Sequence, residues 1–265
     1  MEWIVLGSGN HKPNGERGSS GHVLRGEGPP VLIDCGAGSF HALDLAGVEP
    51  WSIETIWITH LHPDHVADLV PLLFRLRVET KACGPKTLAM YGPRGLERHL
   101  RMLYDLHAPH IAVPELTVTV HELDESRLAR AIECGGCDVR PVRMDHGTMV
   151  AFGYRFTNAA GRAAAYTGDT GPSDAILELA AGADLLVIEA TARERGTLPQ
   201  HLTATEAGEF AAKAGVGGVI LVHLEPDRDE KELLEEAGRA FGGRLFAGRD
   251  GLVVSVVPTQ DSTKE

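Results

Sequence analysis

The chain is short of positive charge. Its 25 lysines and arginines stand against 37 aspartates and glutamates, a formal net charge of −12. Sequence-independent binding of nucleic acid needs many cationic contacts with phosphates, so extended nucleic acid is not the expected partner. A long apolar run is also missing. No stretch approaches the roughly 20 apolar residues that a membrane-spanning helix needs, so no membrane span is expected. Met1-Glu2-Trp3-Ile4-Val5-Leu6 lacks the basic start of a secretory leader and reads as a strand. Cysteine is scarce: Cys35, Cys83, Cys134 and Cys137. Without a secretory signal these are expected as free thiols in a reducing, cytoplasmic setting. Cys134-Gly-Gly-Cys137 is a lone C-x-x-C, and a structural zinc would need a second pair that the sequence does not hold. Repeats and low-complexity linkers are absent as well. One domain over 1–258 with a polar tail over 259–265 is the simplest organisation.

What the chain does hold is histidine, and it is concentrated. Three of its 13 histidines fall in Ile56-Trp57-Ile58-Thr59-His60-Leu61-His62-Pro63-Asp64-His65. The β-branched run over 56–58 predicts a short buried strand. Side chains alternate in extended backbone, so His60 and His62 point to one side. Asp64 and His65 follow where the chain turns into the next helix. Isolated histidines are usually surface residues or bonded core residues. Four potential ligands in six residues at a strand end fit a metal site better, because imidazole and carboxylate are the ligands of a borderline cation such as zinc.

The same placement recurs. Strands predicted over 139–144, 163–166 and 219–222 run into His146, Asp169 and His223. Helices are predicted over 39–46, 96–106, from 173 to about 181, from the capping box of Thr203 and Glu206 to Gly215, and over 229–241. Pro71 interrupts the amphipathic series Val66, Leu69, Val70, Leu73, Leu76, which predicts a kink or a late start. The strand over 163–166 pairs with one over 150–156 as a hairpin. A second, terminal hairpin is predicted over 244–257, turning at Asp250-Gly251. Two similar halves of strands and helices imply an α/β (α+β) four-layer αββα sandwich, two mixed sheets face to face with helices outside.

These residues resemble the signature of the metallo-β-lactamase superfamily, and more closely its ribonuclease Z-like phosphodiesterase branch. The likeness is carried by His60-x-His62-x-Asp64-His65, Leu6-Gly7-Ser8-Gly9 with Arg17, Ser19 and Ser20, Leu32-Ile33-Asp34-Cys35-Gly36, Tyr166-Thr167-Gly168-Asp169-Thr170, Leu221-Val222-His223 and Pro199-Gln200-His201-Leu202-Thr203. The motifs cover most of the chain in the family's order. The resemblance implies His60, His62 and His146 on one metal, Asp64, His65 and His223 on a second, and Asp169 bridging both. It implies two divalent ions, zinc first, with manganese and iron as alternatives. They would share a hydroxide that Asp64 orients for attack on phosphorus. It further implies His201 as general acid or phosphate contact, Glu189 supporting His201, Asp34 orienting a ligand from behind, and a homodimer.

Two features depart from that pattern. Bacterial ribonuclease Z carries a long tRNA-gripping arm between the positions of His146 and Asp169. Here only the 22 positions from 147 to 168 lie between them, and the predicted hairpin fills them. After His223 the chain reads Leu-Glu-Pro-Asp-Arg, so that Arg228 is the candidate replacement for the family's cation. With the acidic balance, this favours a small phosphodiester: a cyclic nucleotide, a short oligonucleotide or a nucleotide-like metabolite. The alternatives are tRNA 3′ processing and hydrolysis of thioesters or sulfate esters on the same fold. A β-lactamase is disfavoured by the Asp bridge and the missing export signal. A non-catalytic scaffold would be expected to lose ligands, and all seven are here. Arg94, Arg98 and Arg101 are read as a solvated helix face, and His99, His107 and His110 as groups outside the ligand set.

Overall fold

The strands over 31–35, 185–189 and 218–222 are buried at every residue, which is why they read as nearly unbroken apolar runs. The computed structural model describes residues 1–12, 14–124 and 130–258. One sheet has the order β14-β1-β2-β3-β4-β5-β6, with β1 Glu2–Gly7, β2 Gly21–Arg25, β3 Val31–Cys35, β4 Thr55–Trp57, β5 Lys86–Gly92, β6 Leu116–Glu122 and β14 Val253–Ser255. Its pairs are antiparallel from β14 to β3 and parallel from β3 to β6. The other has the order β13-β12-β11-β10-β9-β8-β7, with β7 Ile132–Cys134, β8 Cys137–His146, β9 Met149–Asn158, β10 Ala163–Tyr166, β11 Leu185–Glu189, β12 Gly218–Val222 and β13 Arg244–Ala247. It is parallel from β13 to β10 and antiparallel from β10 to β7.

Alternation along β1 sorts its side chains between two cores. Trp3 and Val5 join Trp57, Tyr154 and Phe156 between the sheets. Ile4 and Leu6 face outward onto Leu43, Leu72 and Leu100, from α1 Ser39–Leu45, α3 Leu69–Cys83 and α4 Leu96–His107. On the second sheet, Ile188 and Leu221 meet Ile176, Ala207 and Leu233, from α5 Ala175–Ala180, α6 Ala204–Ala214 and α7 Glu230–Gly238. The result is the expected four-layer α/β sandwich of two mixed sheets.

Local signals decide several boundaries. Helix α2 Pro63–Val66 stops before α3 begins at Leu69, so Pro71 lies in a first turn that needs no amide from it. The Thr203–Glu206 capping box forms, and α6 ends at Gly215 in the left-handed conformation. Gly135 and Gly136, both at positive φ, make the two-residue turn between β7 and β8, with Cys134 in register with Cys137. The C-x-x-C is thus a hairpin closure.

The terminal hairpin does not form. β13 adds to β12 in one sheet and β14 to β1 in the other, so the segment between them crosses the sandwich. Asp250-Gly251 has turn composition, but its bonds are long-range. The Asp250 carboxylate accepts from Ser8 N and Ser8 Oγ, both at 2.8 Å, and from Gly18 N at 2.6 Å. Gly251 N donates to Val5 O. These bonds stitch the crossing to β1. The polar tail over 259–265 lies outside the described residues.

Candidate metal centre

The site grows from the ends of strands. After β4, Ile58 N donates to Tyr91 O, and the chain then presents Thr59, His60, Leu61 and His62 before Pro63 opens α2. Asp64 and His65 lie in that single turn. The second sheet supplies His146 as the last residue of β8, Asp169 three residues beyond β10, and His223 directly after β12.

All seven meet at one edge of the sandwich. Ligand atoms of His60, His62, His146 and Asp169 lie within 4.8 Å of one another, as do those of Asp64, His65 and His223. Asp169 joins the two groups: its carboxylate is 3.7 Å from His60 Nε2, 3.4 Å from His65 Nε2 and 3.3 Å from His223 Nε2. The seven donors are buried apart from His62 and Asp64, which are half-buried.

The tautomers follow from what the outer nitrogens bond. His65 Nδ1 donates to Asp34 Oδ2 at 2.8 Å. The Thr59 hydroxyl donates to Asp34 and so accepts from His60 Nδ1, at 3.1 Å. His146 Nδ1 donates to Gln200 O at 3.2 Å. The Thr191 hydroxyl donates to the His223 carbonyl and accepts from His223 Nδ1, at 2.7 Å. In these four rings Nε2 keeps its lone pair for the cluster. His62 presents Nδ1 instead, 2.9 Å from His60 Nε2 and 3.3 Å from His146 Nε2.

Three observations fit this donor set to cations. Lone-pair nitrogens face one another at hydrogen-bond distance. His65 Nε2 and Asp169 Oδ1 are buried without a hydrogen-bond partner, a costly state that a cation relieves. The charges point the same way. Burial works against ionised Asp64 and Asp169, yet the facing His223 and His65 outweigh it and hold both carboxyls well below the usual range. Burial likewise opposes charge on His65, but Asp169 and Asp34 hold its imidazole well above the ordinary value. The buried cluster calls for positive charge.

Behind the donors stands a supporting layer. Asp34 sits at φ 57° and His223 at φ 56°, the described non-glycine residues in the left-handed region. Asp34 also accepts from Thr59 N at 2.7 Å and from Tyr166 Oη at 3.3 Å. Glu189, fully buried, accepts from His201 Nδ1 at 2.9 Å, Thr170 N at 2.8 Å and Leu202 N at 3.2 Å. Burial opposes charge on His201, but this contact outweighs it and pushes the imidazole up to about 9. Its ring stacks on His223 at 5.5 Å, and one of its donor atoms groups with those of Asp169 and His223.

The seven candidate donors, with Asp34, Glu189 and His201, therefore all lie at the cluster or directly behind it. Thr59, Tyr166, Thr191 and the Gln200 carbonyl were not singled out. Thr59 and Gln200 directly precede His60 and His201, while Tyr166 and Thr191 stand three residues before Asp169 and two after Glu189. Two arginines do not serve the site. Arg228 pairs with Glu236 on α7, and Arg17 is buried against Ser8 Oγ, Gly248 O and Glu230. His99, His107 and His110 take no part in the groups of possible ligands among the described residues.

Comparison with known proteins adds independent evidence. A β-lactamase superfamily domain matches residues 30–224. A ribonuclease Z of Brevibacillus brevis is 32% identical over 298 residues, covering 91% of this chain and 93% of that one. The metallo-β-lactamase fold protein YhfI of Bacillus subtilis superposes with a TM-score of 0.82 at 24% identity, over 96% and 98% of the two chains. The short form of human tRNase Z superposes with a TM-score of 0.79 at 25% identity, over 97% and 100%.

Proposed function

This chain belongs to the metallo-β-lactamase superfamily as a ribonuclease Z-like, metal-dependent hydrolase, and from that premise we propose that it is a binuclear phosphodiesterase acting on small phosphodiesters. His60, His62 and His146 would hold one divalent ion and Asp64, His65 and His223 the other, with Asp169 shared. The observation that carries this reading is the pair of donor groups joined through Asp169, with Nδ1 of four ligand rings tied away from the cluster. The imidazole and carboxylate donors favour zinc, and manganese or iron fit the same set. When bound, two such ions supply an activated water at neutral pH and offset charge developing on phosphoryl oxygens.

The chain's own groups complete the chemistry. Asp64, with 12% of its side chain exposed, is placed to orient the attacking water and accept its proton. His201, 20% exposed and protonated through Glu189, is placed to donate a proton to the leaving alkoxide. Asp34 fixes His65 from behind. Strands β9 and β10 occupy most of 147–168, which leaves no length for a tRNA-gripping arm. Together with the net charge of −12 this supports a cyclic nucleotide, a short oligonucleotide or a nucleotide-like metabolite as substrate. The competing reading, tRNA 3′ processing, draws on the ribonuclease Z relative.

The test is turnover of bis(p-nitrophenyl) phosphate by zinc- or manganese-loaded protein. Hydrolysis is expected, and His65→Ala should reduce it to background. Cleavage of precursor tRNA with no turnover of small diesters would favour the competing reading. Full metal occupancy with neither activity would sink phosphodiester chemistry and direct attention to thioesters and sulfate esters.

A further inference from the structure

Ten described arginines of this acidic chain are paired with carboxylates: Arg17, Arg25, Arg75, Arg101, Arg140, Arg162, Arg193, Arg195, Arg228 and Arg249. Arg94, Arg98 and Arg143 have no acidic partner among the described residues, and these three line one continuous cleft. Its main part, about 650 Å³, lies between Arg94 and Glu122 on one wall and Arg143, Val150 and Phe152 on the other. A shallower extension shares Arg94, Glu122 and Val150 and adds Arg98. Glu122 accepts from the Gly95 and Glu97 amides, so its charge is committed to the start of α4. Asp124 also lies on the wall, and outside the Glu97–Arg101 ion pair of the extension this sets three arginines against two carboxylates. The Arg143 guanidinium rests 6.0 Å from the centre of the Phe152 ring, a placement that cation–π attraction favours.

The cleft lies beside the backbone that carries the candidate metal ligands. Arg143 precedes His146 by three residues on β8, a separation of about 10 Å along a strand. Val150 is in register with Asp145, and Phe152 N donates to Thr59 O, the residue before His60. On the other wall, a methyl group added at Gly95 would lie 3.3 Å from Leu61 Cδ1, between the two ligands His60 and His62.

We propose that this cleft binds a second phosphate, carried by the substrate beyond the scissile bond. The inference rests on the phosphodiesterase reading and narrows it. The substrate class becomes a linear nucleotide diester with a further phosphate group, in preference to a cyclic mononucleotide, whose single phosphate is consumed at the metals. Guanidinium groups suit that role, because they form charge-assisted bonds to phosphate oxygens at fixed geometry.

Calorimetric titration of zinc-loaded protein with thymidine 5′-monophosphate and thymidine 3′,5′-bisphosphate tests this without turnover. The bisphosphate should bind at least about tenfold more tightly, as one additional charge-assisted contact provides. The double variant Arg94→Ala/Arg143→Ala should close most of that gap. The Arg94→Lys/Arg143→Lys variant should retain part of it, and both should keep the parent's zinc content. Equal affinities in the parent, or a gap that survives the alanine variant, overturn the proposal. The phosphodiesterase reading is judged separately on bis(p-nitrophenyl) phosphate. Turnover without the gap removes the cleft and leaves the reading; the gap without turnover does the reverse.

Discussion

Glu189 sets what His201 can do. Buried and already holding two backbone amides, it cannot rotate away from the imidazole. Against the opposing effect of burial, and with smaller contributions from Asp169 and Asp64, it raises the folded-state pKa of His201 from 6.5 to about 9. A raised value means that the pair's stabilisation is complete below pH 6.5 and is lost as pH rises through about 9. A proton-donating His201 then gives a kcat profile whose alkaline limb lies at or below pH 9. In Glu189→Gln the limb should move down toward 6.5, with kcat reduced most at pH 8 to 9. A pH–rate profile of both proteins checks it, and an unmoved limb would remove His201 as the acid. Asp34 and His223 make a related point. Asp and His enter the left-handed region more readily than most non-glycine residues, and local strain of this kind gathers at functional sites.

Helix α2 is one turn long and cannot hold its own position. It is held against the end of β3, where Gly36, the residue after the strand, lets the chain pass under it. A Cβ at Gly36 would lie 2.0 Å from Asp64 O and 2.7 Å from Ser20 O, both backbone atoms. Gly36→Ala should therefore displace the turn that carries Asp64 and His65. Overpacking of this kind costs about 1–3 kcal/mol, and a loss of metal affinity should accompany the fall in stability. Metal content and the melting curve of the variant measure the two effects. A variant that binds metal as the parent does would show that α2 is positioned otherwise.

On the scale of the whole molecule, the cluster lies on the seam between the sheets. His60, His62, Asp64 and His65 come from one sheet, and His146, Asp169 and His223 from the other. Cations bound there join the two halves and bind the folded state alone. At a free concentration 100-fold above Kd, each site adds about 2.7 kcal/mol. A chelator should lower the melting temperature, and added zinc should restore it. An unchanged melting temperature after verified metal removal would mean that the seam is held without metal. Among the described residues no helix is long and apolar enough to cross a membrane.

The sequence by itself determined the strands that end in candidate ligands, the capping box of α6, the break before Pro71 and which seven residues meet as candidate donors. Each of these is a local matter: alternation, helix ends and turn composition act over a few residues and leave a mark there. The tertiary structure alone decided the rest. Nothing near Asp250-Gly251 distinguishes a tight turn from a crossing between sheets, because the deciding partners, Ser8 and Gly18, lie more than 230 positions away. Thr59, Tyr166 and Thr191 have ordinary neighbours, and only the meeting of distant strands turns their hydroxyls toward Asp34 and His223. The same holds for Arg94, Arg98 and Arg143. The first two read as a solvated helix face until β9 of the other sheet closes a cleft over them.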